Sequence, residues 1–358
     1  MNSRFFFAIS FIVFLTGCEN ERIIDQVQII ESIGYDQHED EIKGTAIYPT
    51  FTEKGQTQLN ILTTKSASYD DILPRLNTKS AHPIEIGQLR LVVFGKKLAK
   101  QGIDPIIESL KRDPAVGSRV QLGIAEHTAE NILISGKNTN FPFHLGDKIN
   151  QNIQNGNLPK MNLHLFLDNF YSKGKDPCLP YFTIEEGKAH VNGLALFKNG
   201  KYINHINLNQ SFVVKMLIGG AKNGRYQIKI NKNKKNGFIS LKNLDAKAHY
   251  TISQTDQVPN ISIDLTMNTQ IKDVPPWLNV TANKDISKME KIINKHFNEE
   301  VQQLISLFQE YEVDPIGFGD MVRAKSRKWN YIRFQDMYPH LKTTVNTKVN
   351  IIQTGVGE

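Results

Sequence analysis

Ile86-Gly-Gln-Leu-Arg-Leu-Val-Val-Phe-Gly95 is the stretch that decides the fold of this chain. Its centre, Leu91, Val92, Val93 and Phe94, is apolar without alternation, the pattern of a strand covered on both faces. Residues 96–101 follow as a helix closed by Gly102. Asp104-Pro105 opens a second helix, with the aspartate as N-cap and the proline at the first helical position. Residues 119–125 return as a strand and 128–134 as a short helix. Strand and helix therefore alternate over about 59–135, which predicts a small α/β unit with a parallel or mixed sheet. Upstream, 27–35 and 42–51 alternate apolar and polar residues as strands do. Pro74 restricts 68–76 to a short or kinked helical turn.

Downstream, 141–160 is polar and rich in Asn and Gly, a connection between lobes, and 161–171 reads as a helix. Two apolar-alternating runs, Gly193-Leu-Ala-Leu-Phe-Lys198 and Lys201-Tyr-Ile-Asn-His-Ile206, flank Asn199-Gly200. That is a hairpin signal, because both turn residues must take φ > 0. A helix over 209–217 then precedes strands at 226–230, 237–241, 246–253 and 261–268, the first pair turned through Asn236-Gly237. Pro275-Pro276 ends the series. A long helix runs from 285 to about 311, its apolar residues falling at steps of one, three or four and so on one stripe. A last strand is expected at 345–351. The predicted class is α+β, a multidomain mixed α/β chain. Residues 18–190 form an N-terminal lobe of one or two subdomains. Residues 191–358 form a C-terminal antiparallel sheet with the long helix packed on it.

The first residues carry a different message. Met1 and Arg4 are positive, and residues 5–15 (FFFAISFIVFL) are apolar without a break. Eleven helical residues rise ~16 Å, about half of a ~30 Å hydrocarbon core, so the run reads as the core of a signal peptide over 1–17. Leu15-Thr16-Gly17-Cys18 resembles the lipobox of bacterial lipoproteins. That resemblance implies diacylglycerol on the Cys18 sulfur and cleavage just before it. Two acyl chains anchor stably where one binds reversibly. Beyond Cys18 no long apolar run occurs; 210–220 is broken by Lys215. Cys178 is left without a partner and reads as a buried thiol. Net charge is +7, or +6 without Arg4. The lysines of 229–235 read as a solvated hairpin end, with contact to anionic headgroups as the other reading. No aromatic-interleaved basic stripe of a nucleic-acid binder accompanies them.

Enzyme chemistry finds no foothold. The ten histidines show no His-x-x-x-His spacing, and neither Cys-x-x-Cys nor Gly-x-Ser-x-Gly occurs. Gly219-Gly-Ala-Lys-Asn-Gly224 follows a helix and lacks the Lys-Ser/Thr of a phosphate loop, so it reads as a helix end and turn. Glu39-Asp40-Glu41 and Glu185-Glu186 read as turn charge, and Asp314-Pro-Ile-Gly-Phe-Gly319 as an N-cap at a junction between helices. No catalytic, cofactor or metal residue is assigned.

Taken in order along the chain, several segments resemble the C-subunit family of spore nutrient germinant receptors. They are the lipobox at Cys18, Ile33-Gly-Tyr-Asp36, Gly87-Gln-Leu-Arg-Leu-Val-Val-Phe-Gly95, Leu98-Ala-Lys-Gln-Gly-Ile103 and Leu110-Lys-Arg-Asp113. Gly193-Leu-Ala-Leu-Phe197 and Asp314-Pro-Ile-Gly-Phe-Gly319, followed by Trp329, complete the set. One departure is visible: where the family often has Trp-Asp after the lipidated cysteine, this chain has Glu19-Asn20. The resemblance implies a non-enzymatic lipoprotein on the outer surface of the spore inner membrane. It implies two integral-membrane partners, the A- and B-type receptor subunits, and neither cofactor nor nucleic acid. Cys18 is the only functional residue it assigns. The competing reading is a lipid-anchored solute-binding protein, which requires two similar lobes around a cleft.

Overall fold

The computed structural model describes residues 27–51, 57–135, 144–232, 235–253, 258–278 and 283–354. Residues 1–17, expected to be a signal peptide, and Cys18 lie outside the described residues. The first unit holds strands β1 (Gln28–Ile29), β2 (Ser32–His38), β3 (Glu41–Phe51), β4 (Thr57–Ser66), β5 (Ile84–Glu85) and β6 (Leu91–Gly95). It continues with β7 (Gln121–Ala125), β8 (Cys178–Glu185), β9 (Lys188–Lys198) and β10 (Lys201–Ile206). Its helices are α1 (Ile72–Asn77), α2 (Lys96–Gln101), α3 (Asp104–Arg112), α4 (Ala129–Ser135), α5 (His144–Gln154) and α6 (Leu163–Tyr171).

Eight strands make one sheet in the order β10-β9-β8-β7-β6-β2-β3-β4, and β1 pairs with β5 beside it. The centre, β2-β6-β7-β8, is parallel, and an antiparallel pair of strands closes each edge. Every residue of β6 and β7 is buried, as the unbroken apolar run requires. Helices α1, α2, α3 and α6 cover one face. The other face carries α4 and α5 and then merges into the core of the second unit. The Asn199-Gly200 turn forms as expected, with φ of 48° and 72°. Its hairpin edges the eight-stranded sheet, so sheet continuity crosses 190/191 and the change of sheet falls between Ile206 and Arg225. Two local expectations change. Asp104 is the first helical residue rather than the cap, which is Ile103, and its carboxyl group packs against Gly200, where a Cβ has no room. The connection at 141–160 contains helix α5, whose polar sequence hides its buried Leu145 and Ile149.

The second unit comprises α7 (Leu208–Gly219), β11 (Arg225–Lys232), β12 (Lys235–Ser253), β13 (Asn260–Asp273), α8 (Asn283–Glu310), α9 (Phe318–Lys325), α10 (Tyr331–Met337) and β14 (Lys342–Thr354). The strands form one sheet in the order β11-β12-β13-β14. The expected turn at Asn236-Gly237 is displaced: both residues sit inside the ladder, opposite Asn231 and Ile230, and the chain reverses between Lys232 and Lys235. Gly237 serves another purpose, since a Cβ there would lie 2.3 Å from Pro275. The expected strands at 237–241 and 246–253 are one strand with register shifts near Leu241 and Asp245. The sheet is antiparallel through β13, but β14 joins in parallel because a helix carries the chain back across.

Helix α8 does two jobs. Its stripe, including Met289, Ile293, Phe297, Val301 and Phe308, is buried against the sheet. A second row, spaced by four, lies along the outer edge of β14. Glu290, Asn294 and Asn298 accept from Ile351, Val349 and Thr347 N–H at 3.0, 2.7 and 2.8 Å, and Gln302 bonds Thr343. Four helical residues rise ~6.0 Å and two strand residues ~6.6 Å, so Glu290, Asn294 and Asn298 keep step with Ile351, Val349 and Thr347. The edge that invites aggregation is thereby covered. Among the described residues no helix is long and apolar enough to cross a membrane.

Candidate functional site

The two units meet at a seam that two short loops build. One is residues 172–177 of the first unit; the other is Asp314-Pro-Ile-Gly-Phe-Gly319, which leads from α8 into the first residues of α9. The loops exchange backbone bonds: Asp176 N–H donates to Asp314 O at 2.9 Å and Asp320 N–H to Gly174 O at 2.9 Å. Such an approach requires the glycines. A Cβ on Gly174 would sit 2.3 Å from the Asp320 nitrogen, and one on Gly319 would sit 2.8 Å from the Gly174 Cα. Gly317 takes φ of 89° and is the N-cap of α9. The Asp314 side chain stands three residues earlier than the cap position, yet it satisfies the helix start. Its two oxygens accept from Gly317 and Gly319 N–H, each at 2.8 Å.

Charge is concentrated under this backbone contact. Asp176 accepts from Asp314 N–H at 2.7 Å and from Lys198 Nζ at 3.0 Å, and Lys198 also donates to Gln335 Oε1 at 2.7 Å. Burial pushes the Asp314 carboxyl up to about 7, against the pull of the backbone N–H groups it accepts from. Burial also raises Asp176, and Lys198 opposes the rise. Tyr338 O–H donates to Val313 O at 2.6 Å beside them. The cavity here, lined by Gly174, Asp176, Gly200, Asp314 and Tyr331 among others, has a volume of about 40 Å³. That is room for a water or two.

A second contact between the units is apolar. Every residue of α7 from Ser211 to Leu217 is buried, with the helix packed between β9 and β12. Lys215 is the one cation in that run. Its Nζ donates to Ile153 O and Gly156 O at 2.8 and 2.7 Å, satisfying carbonyls at the end of α5, and burial lowers its pKa. Asn157 and Asn223 add bonds between the α5 end and the second unit: Asn157 Nδ2 to Arg225 O at 3.1 Å and Asn223 Nδ2 to Gln154 O at 3.2 Å.

The sequence marks thus fall into separate places. Asp36 of Ile33-Gly-Tyr-Asp36 accepts from Ala129 and Glu130 N–H at 2.7 and 3.0 Å, capping α4, and crowds Gly95 so that only glycine fits there. Gly193-Leu-Ala-Leu-Phe197 runs through β9 into Lys198, and the Asp314 motif closes the seam. Cys178 is buried, with its thiol pushed up to about 11 by burial, an unreactive setting. Lys229 lies exposed on β11 near the hairpin end. The sequence marks Lys215 only as the break in 210–220, and it assigns no role to Asp176, Lys198 or Gln335. Only the Asp-Pro before β8 and the lysine before Asn199-Gly200 mark their neighbourhood.

Residues 20–184 match the family described as spore germination protein N-terminal domain, and residues 192–355 match spore germination B3/GerAC like, C-terminal. Spore germination protein GerQC of Bacillus cereus is 30% identical over 349 residues, covering 97% of each chain. The chain belongs to the GerAC family of spore germination proteins. Spore germination protein KC of Bacillus subtilis (strain 168), 22% identical, covers 96% of this chain and 94% of its own. Among solved structures, the crystal structure of the GerBC protein superposes with a TM-score of 0.59 at 16% identity, covering 89% of this chain and 96% of that one. The GerAC-like fold is therefore that of this chain, the mixed α/β architecture read from sequence. In GerAC terms the seam joins the two family segments, Asp176 lying in the first and Asp314 in the second.

Proposed function

We propose that this spore germination protein is the lipid-anchored, non-enzymatic C-type subunit of a nutrient germinant receptor, required for assembly and for the response to nutrient. The observation that carries the reading is the full-length relationship to GerQC, together with Leu15-Thr16-Gly17-Cys18 at the start of the chain. Lipid on Cys18 holds the body at the outer face of the spore inner membrane. The tether raises its local concentration beside the A- and B-type membrane subunits, which is how an anchored scaffold promotes assembly. A seam cavity of about 40 Å³ favours this over a solute-binding protein, whose two lobes would enclose a ligand.

The test is spores carrying Cys18→Ala, followed both by membrane fractionation and by germination on separate nutrients. The expected outcome is loss of the protein from the membrane fraction and loss of response to one nutrient class. Normal germination on every nutrient after complete deletion of the chain would overturn the receptor role.

A further inference from the structure

Residues 321–333, Met-Val-Arg-Ala-Lys-Ser-Arg-Lys-Trp-Asn-Tyr-Ile-Arg, carry five cations and no acid, whereas the whole chain has a net charge of +7. The segment is the end of α9, a five-residue loop and the start of α10. It is a fixed platform. Val322 and Phe334 are buried in the core beneath it. Ser326 N–H closes α9 on Val322 O at 2.9 Å, Ser326 Oγ accepts from Lys328 N–H at 3.3 Å, and the Asn330 side chain caps α10 through Arg333 N–H at 3.0 Å. The outward side is composed differently. Arg323, Lys325, Arg327, Lys328 and Arg333 are exposed, and among them stands Ile332, 70% exposed. Trp329 is half-buried, with the Arg323 guanidinium 5.8 Å above its ring. Flanking the segment in sequence, Asp320 accepts from Ser172 and lies 3.6 Å from Arg323, and Asp336 is exposed.

We propose that this platform is a second membrane contact, which lays the 323–333 surface on anionic phospholipid headgroups. The inference rests on the anchored reading above and deepens it. Cationic side chains around an exposed aliphatic residue and a tryptophan fit the headgroup layer, where the cations meet phosphates and the apolar groups reach the acyl boundary. The anchor alone leaves orientation open. Eight residues separate Cys18 from Val27, which bounds the distance between the lipid and the body at roughly 30 Å without setting the body's orientation. A second contact selects one orientation, and because the platform rests on the seam through α9, it fixes both units at once.

The experiment uses the full lipidated chain carrying Trp277→Phe, which leaves Trp329 as the only tryptophan. It is placed in vesicles of phosphatidylcholine alone, or of phosphatidylcholine with phosphatidylglycerol, each containing brominated acyl chains. Trp329 emission is expected to be quenched in the anionic vesicles only, to recover at high salt, and to recover in the double variant Arg327→Glu/Lys328→Glu. In a chain also carrying Cys18→Ala, partitioning onto anionic vesicles is expected to fall about fivefold for each cation removed. The neutral pair Arg327→Gln/Lys328→Gln, on exposed positions, guards against misfolding. Equal quenching in both vesicle types, or none in either, overturns the proposal. So does unchanged quenching in the charge-reversed variant. If the anionic vesicles give no quenching but the double variant loses the membrane subunits on co-purification, the surface meets an acidic protein segment and the lipid assignment is wrong. Failure of the wild-type chain to stay on neutral vesicles counts against the Cys18 anchor, not against the platform.

Discussion

The two contacts between the units are built from opposite materials. At α7 a run of seven consecutive residues is buried between two sheets. At 172–177 and 314–319 the contact is backbone, glycine and two buried carboxylates, of which Asp176 pairs with Lys198 and Asp314 accepts from backbone N–H groups. The first derives from burial, which is non-directional and tolerant of small shifts. The second derives from geometry and charge, so an error of a single Cβ or a single proton reaches it. The difference predicts which perturbations each contact feels.

The largest effect belongs to the apolar contact. Phe212, fully buried beside Tyr226 and under Gly224, should cost about 3–5 kcal/mol of stability when replaced by alanine, read from the urea midpoint. A loss below about 1 kcal/mol would mean that α7 is not the structural joint. Next is Lys198→Met at the polar contact, which leaves the buried Asp176 carboxyl facing no cation. A loss of about 2–4 kcal/mol is expected, and the additional change Asp176→Asn should recover much of it. Gly174→Ala then pushes apart the two loops without touching charge. An expected loss of about 1–3 kcal/mol should come with weakened protection of the Asp320 amide in hydrogen exchange.

Proton linkage separates the two contacts most cleanly. Asp314 holds its proton up to about pH 7 when folded but releases it near 3.8 when unfolded. Between those values the unfolded state binds fewer protons, so this group's contribution to stability falls as pH rises, by up to about 4 kcal/mol across the window. Asp314→Asn keeps the shape and removes the proton. Urea curves at pH 5 and pH 7.5 should show the wild-type advantage over the variant shrinking with pH. A constant advantage would place the charge in water. The smallest effect is expected from Lys215→Met, which removes two hydrogen bonds but also a buried cation. The sum should stay within about 1–2 kcal/mol.

Much of the architecture was legible in local pattern. The unbroken apolar Leu91-Val-Val-Phe94 announced a strand covered on both faces, Asn199-Gly200 announced its hairpin, and the stripe from Ile286 to Phe308 announced a long packed helix. Each rests on neighbours within a few residues, where periodicity and turn chemistry are fixed by backbone geometry. The same reasoning misplaced the turn at Asn236-Gly237, because a glycine required by Pro275 looks in sequence like a glycine required by a bend. It also passed over α5, whose mostly polar residues cover a narrow buried stripe.

By itself the sequence determined the class of fold and the order of most of its elements, which are read from short windows. The tertiary structure alone decided what the polar residues do. Glu290, Asn294 and Asn298 form a row that any solvated helix face could carry, until β14 lies beside it with the N–H groups of Ile351, Val349 and Thr347 at matching intervals. Asp176 and Asp314 are 138 residues apart and share no pattern. Their meeting depends on where α7 and α8 carry the chain. A buried polar group is satisfied by whichever partner the packing brings within about 3 Å, and sequence spacing holds no record of that distance.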